Sequence, residues 1–169
     1  MTHALGPAPW SRRQWLAGAL GAAVCAPAAW AQSEHGALPM PASLKDELAA
    51  ALQQRLPLVV MVSLVGCPFC KVVRESYLRP LRESGQPVVQ VDLRDRRRLL
   101  DFEGQATTQD EQIRRWGVRI APTVLFFGPD AREVAPRLKG AYLPDFYDAY
   151  LQDNLATAKQ AVRAPQRTP

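Results

Sequence analysis

Leu58-Val59-Val60-Met61-Val62-Ser63-Leu64-Val65-Gly66-Cys67-Pro68-Phe69-Cys70 is the stretch on which the fold turns. From Leu58 to Val65 only Ser63 is polar, which suits a strand buried on both faces. Two thiols three positions apart follow at once. If Pro68 opens a helix, Cys67 caps its N-terminus and Cys70 lies one turn along on the same face. The positive end of that helix favours thiolate over thiol at Cys67, and the thiolate is the species that attacks disulfides. A strand followed by Cys-x-x-Cys therefore reads as a redox site whose two sulfurs form and break one disulfide.

Working outward, Ser43 stands as an N-cap with Asp46 three residues on, and Leu44, Leu48, Leu52 and Leu56 recur every fourth residue up to Pro57. This predicts an amphipathic helix over 44–56. Beyond the thiols, a helix from about Pro68 to Arg82 turns Val72, Val73, Tyr77 and Leu81 inward, with Pro80 ending or kinking it. Ser84-Gly85-Gln86-Pro87 turns the chain into a second strand, Val88 to Leu93, and two strands joined by one helix make a right-handed parallel unit. A short helix near Leu99 to Phe102, a turn at Gly104 and a helix from about Gln109 to Gly117 follow. Thr123 to Phe127 and Glu133 to Leu138, joined by Gly128-Pro129-Asp130-Ala131, read as a hairpin. Phe146, Tyr150, Leu151 and Leu155 place a last helix from Leu143 to about Val162. The order helix, strand, helix, strand, helix, hairpin, helix predicts an α/β fold: one central mixed sheet of about four strands with helices on both faces.

A chain of 169 residues has room for one domain and little more. Ser11-Arg12-Arg13-Gln14-Trp15-Leu16 precedes a weakly apolar stretch, Ala17 to Ala26, and Ala29-Trp30-Ala31 sets small residues three and one before a cleavage point. That is the pattern of a signal peptide over residues 1–31. The stretch is too short and too weakly apolar to span a membrane, so no stable insertion is expected after cleavage. Its paired arginines resemble the twin-arginine export signal, with Trp15 where Phe is usual, while Ala17 in place of Lys leaves Sec export open. Cys25 raises lipid attachment, but Val24 stands where such sites want Gly, Ala or Ser. Cleavage near Ala31 leaves Cys67 and Cys70 as the two cysteines of a protein expected in the oxidising periplasm. Residues 32–42 read as a flexible leader, 43–163 as the domain and 164–169 as a loose tail. The net charge of +5 includes Arg12 and Arg13, and the remainder is too small to argue for nucleic acid. Arg94, Arg96, Arg97 and Arg98 read as a solvated turn or helix start.

Cys67-Pro68-Phe69-Cys70 behind the first strand, joined with Arg115-Trp116-Gly117-Val118-Arg119-Ile120-Ala121-Pro122-Thr123-Val124-Leu125-Phe126-Phe127, closely resembles the thioredoxin superfamily over about Leu44 to Leu155. The resemblance implies a thioredoxin-like fold, Cys67 and Cys70 as the catalytic thiols, Pro68 and Phe69 as residues that tune them, and no metal or cofactor beyond their redox-active disulfide. It also implies that Pro122 is cis and packs against that disulfide, with Ala121 offering backbone hydrogen bonds to an extended substrate. Only about 5% of X–Pro bonds in folded proteins are cis, so such a bond needs a local reason. Two positions depart from the pattern: Met61 stands where many thioredoxins bury an Asp, and Gly66 where they carry a Trp. Without the buried acid, proton exchange with Cys70 must rely on solvent, the substrate or another residue. The Pro68-Phe69 dipeptide is nearer to glutaredoxins, whereas the export signal and hairpin look like periplasmic thioredoxin-like proteins. The missing first strand and the extra segment Leu100 to Asp110 are most similar to SoxW-type exported thioredoxins.

The resemblance implies a thiol–disulfide oxidoreductase acting on protein thiols and disulfides. Cys67 would form a mixed disulfide that Cys70 resolves. Direction follows from potential: ~30 mV is worth ~1.4 kcal/mol, and members of the fold span about −270 to about −120 mV. Reduction is favoured, because Phe69 stands where a thiolate-stabilising His would serve an oxidant, and neither His3 nor His35 is near in sequence. A reductant in an oxidising compartment must be recharged, which implies a membrane electron donor. The alternative is a Cu(I) metallochaperone holding its ion on Cys67 and Cys70, since two soft thiolates suit that metal. Exported copper chaperones of this fold usually add a His or Met, however, and here Met61 lies in the strand and His35 in the leader. Structural zinc would need four ligands. A non-catalytic adaptor is opposed by the intact pair and Pro122, and Phe69 and Trp116 read either as partner-facing or as core.

Overall fold

A computed structural model describes residues 37–141 and 144–164. The expected signal peptide, Cys25, both histidines, residues 32–36 of the leader, Leu143 and the tail beyond Ala164 lie outside them. In chain order the structure runs α1 (Leu44–Gln53), β1 (Leu58–Ser63), α2 (Pro68–Val72), a π-helical stretch Val73–Leu78, α3 (Arg79–Glu83), β2 (Val88–Asp92), β3 (Arg98–Leu100) and β4 (Ala106–Thr108). Then come α4 (Gln109–Arg115), β5 (Thr123–Phe127), β6 (Leu138–Lys139) and α5 (Pro144–Arg163).

The central sheet has the order β2-β1-β5-β6, with β2 parallel to β1 and β5 antiparallel to it. All six residues of β1 are buried, because both faces of the sheet are covered. Val59 and Met61 face a layer containing Cys70, Val73, Leu78, Tyr147 and Leu151. Leu58, Val60 and Val62 face the opposite layer, with Leu44 and Leu48 of α1 and Ile113 of α4. Each fully buried Leu, Val or Phe contributes roughly 1.5–3 kcal/mol relative to exposure, and this period-two division fixes which side every neighbouring residue takes. Among the described residues no helix is long and apolar enough to cross a membrane.

Four local expectations need correction. The first helix stops at Gln53 and not at Leu56, because Arg55 takes φ 56°. The Arg55 and Leu56 N–H groups return to the Leu52 and Ala51 carbonyls at 2.9 and 3.1 Å, a Schellman closure that makes Leu56 its anchor. Pro80 neither ends nor breaks its helix: it falls in the first turn of α3, just past the π-helical stretch, where the ordinary i→i−4 ladder has already widened.

The stretch around Leu99 is not helical. It forms β3, paired antiparallel with β4, with Leu99 opposite Thr107. The turn between them wins the competition, since Asp101 Oδ1 accepts the N–H groups of Glu103 and Gln105 at 3.1 and 2.7 Å. Leu99 is buried while Arg98 and Leu100 point out. Finally, the expected strand Glu133 to Leu138 shrinks to β6, with Glu133 making one isolated bridge to Phe127. Pro136 lies between them and has no N–H for a ladder.

Candidate active site

β1 carries the chain to one edge of the sheet, where Gly66 turns it into α2. Gly66 has φ +79° and open space where a Cβ would sit, so backbone conformation rather than crowding demands glycine. This accounts for its replacing the bulky residue expected by resemblance. Cys67 is the N-cap, with φ −81° and ψ 114°, and its Sγ accepts the Cys70 N–H at 3.2 Å. Pro68 is in the first turn of the helix, as the spacing of the motif requires. Cys67 is half-buried and Cys70 fully buried, both as free thiols. Burial, reinforced by the neighbouring Cys67, pushes the Cys70 thiol up to about 11. Phe69 between them is 61% exposed, so it belongs to the surface around the thiols and not to the core.

Antiparallel pairing of Val62 with Thr123 brings Ala121 and Pro122 to the same edge as Cys67. The Ala121–Pro122 bond is cis. Pro122 is buried, and its carbonyl accepts the Gly140 N–H at 2.8 Å. Ala121 and Cys67, each half-buried, pack against the same core layer. Trp116 belongs elsewhere: it stacks on Phe127 and Phe102, at 5.2 and 6.1 Å between ring centres, on the opposite face of the sheet. Met61 is wholly buried in the Cys70 layer. Among the described residues no three His, Cys, Asp or Glu side chains converge as metal ligands.

Beside Cys67 opens a cavity of about 370 Å³ whose walls include Ser63, Lys71, Arg74, Gln90 and Asp92. Sequence reasoning passed over this polar group. Arg74 Nη1 donates to Ser63 Oγ at 3.4 Å and to Gln90 Oε1 at 3.0 Å, and Gln90 Nε2 donates to Asp92 Oδ1 at 2.9 Å. Asp92 is 2% exposed. Burial raises its pKa above the ordinary carboxylate value against the opposing pull of Gln90, Ser63 and Arg97, whose Nη2 lies 3.8 Å from Oδ2. A signal was present: in Val88-Val89-Gln90-Val91-Asp92 the two polar residues of a buried strand are spaced by two, which sets both on one face. Tyr147 of α5 completes the surroundings of Cys70, with its ring 4.8 Å from Tyr77 and its buried hydroxyl without a hydrogen-bond partner among the described residues. Burial, then the nearby Tyr77 and Cys70, push its phenol upward.

An accessible sulfur at a helix start, backed by a buried thiol one turn away, can exchange one disulfide with a partner. The sequence profile of the thioredoxin-like domain matches residues 44–155. No protein of curated function matches the chain in sequence. Among solved structures, a thioredoxin from Thermus thermophilus is 23% identical with a TM-score of 0.47, over 70% of this chain and 87% of that one. Thioredoxin f2 of Chlamydomonas reinhardtii is 18% identical with a TM-score of 0.46, over 70% and 96%. The periplasmic thioredoxin SoxS of Paracoccus pantotrophus, in reduced form, is 18% identical with a TM-score of 0.40, over 60% and 98%. With its profile match spanning most of the chain, and with the mixed sheet, the Cys-x-x-Cys helix start and the cis-proline loop in place, this protein belongs to the thioredoxin-like domain family.

Proposed function

We propose that this protein is a periplasmic thiol–disulfide oxidoreductase that reduces protein disulfides, with Cys67 as attacking thiolate and Cys70 as resolving thiol. One observation carries the assignment of roles: Cys67 is accessible at the helix N-cap while Cys70 is sealed in the core with its thiol pushed up to about 11. Cys67 attacks one sulfur of a substrate disulfide and expels the other as thiolate. Cys70 then attacks Cys67 Sγ, forming the Cys67–Cys70 disulfide and releasing the second substrate thiol. Ala121 and Pro122, at the same edge of the sheet, receive the substrate backbone beside the mixed disulfide. Phe69 in place of a cationic neighbour supports net reduction, and recharging by a membrane electron donor completes the cycle. The pattern of residues 1–31 supports export, and the segment carrying β3 and β4 supports kinship with SoxW-type exported thioredoxins.

The roles are tested by trapping. Cys70→Ser is expected to accumulate mixed disulfides with protein substrates in non-reducing gels and Cys67→Ser to accumulate none. Equal trapping by both variants overturns the assignment. Direction is tested by the equilibrium potential of the pair, expected towards the ~−270 mV end of the fold's range; a value near ~−120 mV makes the protein an oxidant.

A further inference from the structure

The strand register places an acid where the resolving thiol needs one, although the position at which the sequence led us to look for it is occupied by Met61. In the parallel pairing Met61 lies opposite Gln90 and Ser63 opposite Asp92. Val59, Met61 and Ser63 alternate onto one face of β1, and Val88, Gln90 and Asp92 onto the same face of β2, the face whose apolar layer holds Cys70. The carboxyl has thus moved one strand over and one pleat towards the edge of the sheet that carries the thiols.

We propose that Ser63 and Asp92 form a proton relay for Cys70, in which the Ser63 hydroxyl takes the thiol proton and passes its own to the Asp92 carboxylate. The inference rests on the oxidoreductase reading above and names the residue that replaces the missing buried acid.

A hydroxyl has one donor and two acceptor sites. Ser63 Oγ accepts from Arg74 at 3.4 Å, which leaves one lone pair for the Cys70 S–H and its own hydrogen for Asp92. Ser63 lies directly opposite Asp92 in the strand register, on the face whose apolar layer holds Cys70, and both line the cavity beside Cys67. Ser63 and Asp92 are 1% and 2% exposed, so the Cys70 proton has a short buried route to an acceptor that itself borders the open cavity. Gln90 fixes one carboxylate oxygen at 2.9 Å and Gln109 Oε1 accepts the Asp92 N–H at 2.7 Å, which hold the acid in place. The charged or titratable groups around Asp92 are Arg97 and Asp95 from the loop behind β2, Arg74 through Gln90 and Ser63, and Lys71 and Cys67 on the cavity wall.

In the resolving step the Cys70 proton goes to Ser63 and the Ser63 proton to Asp92. The Cys70 sulfur attacks Cys67 Sγ, the Cys67–substrate S–S bond breaks, and its electron pair leaves on the substrate sulfur. The substrate disulfide is the oxidant, two electrons pass from the Cys67/Cys70 pair to it, and Asp92 returns its proton through the cavity. In this relay Ser63 is the group that meets the reacting thiol, and Asp92 acts through it as a positioning and proton-holding residue.

The test uses the reduced full chain and an excess of an aromatic disulfide that releases a coloured thiol. The first release reports Cys67 attack and scales with reagent; the second reports Cys70 resolution and does not. Asp92→Asn and Ser63→Ala are each expected to slow the second phase tenfold or more at pH 7, to leave the first within twofold, and to recover as pH rises and hydroxide deprotonates Cys70 directly. The double variant is expected to be no slower than the slower single. Second phases within twofold of wild type, equal slowing of both phases, a pH-independent defect, or multiplying defects in the double variant overturn the relay. Loss of the second release from the wild-type protein overturns the oxidoreductase reading instead, whatever the variants do. Ser63→Ala, a small truncation, keeps the test valid if Asp92→Asn fails to fold.

Discussion

Burial raises the pKa of both Cys70 and Asp92, and both shifts leave a signature in the dependence of stability on pH. For Cys70 the folded-state pKa lies above that of a free thiol, so the proton binds the folded state more tightly. Its contribution is present below the ordinary thiol value of 9.0 and is lost as pH rises towards about 11. The unfolding midpoint of the reduced protein should therefore fall over that window relative to Cys70→Ser, and parallel pH profiles for the two proteins would count against a buried, raised thiol. Asp92 is also raised, so its ionised form at neutral pH weighs against the fold. Asp92→Asn should raise the urea midpoint at pH 7, with the gap closing as pH falls through the Asp92 titration. A variant that is less stable at pH 7 would mean that the contacts of the carboxylate outweigh its burial. A residue that costs stability yet slows resolution when neutralised is the combination expected of a functional group.

At the scale of elements, the strands and caps were legible where one local signal dominated. β1 follows from an apolar run, Ser43 accepts the Asp46 N–H at 3.2 Å as the N-cap pattern requires, and α4 starts at Gln109 as expected, although its cap, Thr108 accepting from Glu111 N at 3.3 Å, was not named from the sequence. β3 was not legible, because Leu99 and Phe102 fit a helical spacing as well as a strand, and the Asp101 turn decided between them. The relay was hidden for a different reason. Cys-x-x-Cys and Ala121-Pro122 are contiguous motifs, whereas Ser63 and Asp92 meet only through the parallel register of two strands 29 positions apart. The β5–β6 connection shows how tightly such elements are joined. A Cβ on Gly128 would stand 2.6 Å from Val134 Cγ1 and 3.3 Å from Val162 Cγ2 of α5. Gly128→Ala should cost about 1–3 kcal/mol, by overpacking between the sheet and its last helix. Adding Val134→Ala should recover part of that loss in chemical denaturation. If the two losses simply add, the clash lies elsewhere.

Over the whole molecule, one of the two apolar layers seals the Cys70 sulfur, while Cys67 stands at an edge rich in exposed apolar side chains. Val65, Phe69 and Ile120 are 83%, 61% and 44% exposed, and they come from the turn before Cys67, the first turn of α2 and the loop that carries the cis-proline. The folded core gains nothing from side chains left in water, whereas a partner covering them removes apolar surface worth roughly 25 cal/mol per Å². Trp116, the other aromatic that the sequence left ambiguous, packs half-buried against the core because its ring meets Phe127 and Phe102. Phe69 has no such partners among the described residues and stands outside. The division bears on substrate class: a small disulfide needs only Cys67, while a protein disulfide also brings a chain that lies across this surface. Phe69→Ser should therefore leave the rate with a small aromatic disulfide within twofold and lower kcat/KM for a folded disulfide protein by about tenfold, mainly through KM. Equal losses on both substrates would place the effect of Phe69 on the thiols themselves, and equal retention would mean that protein substrates dock without this edge.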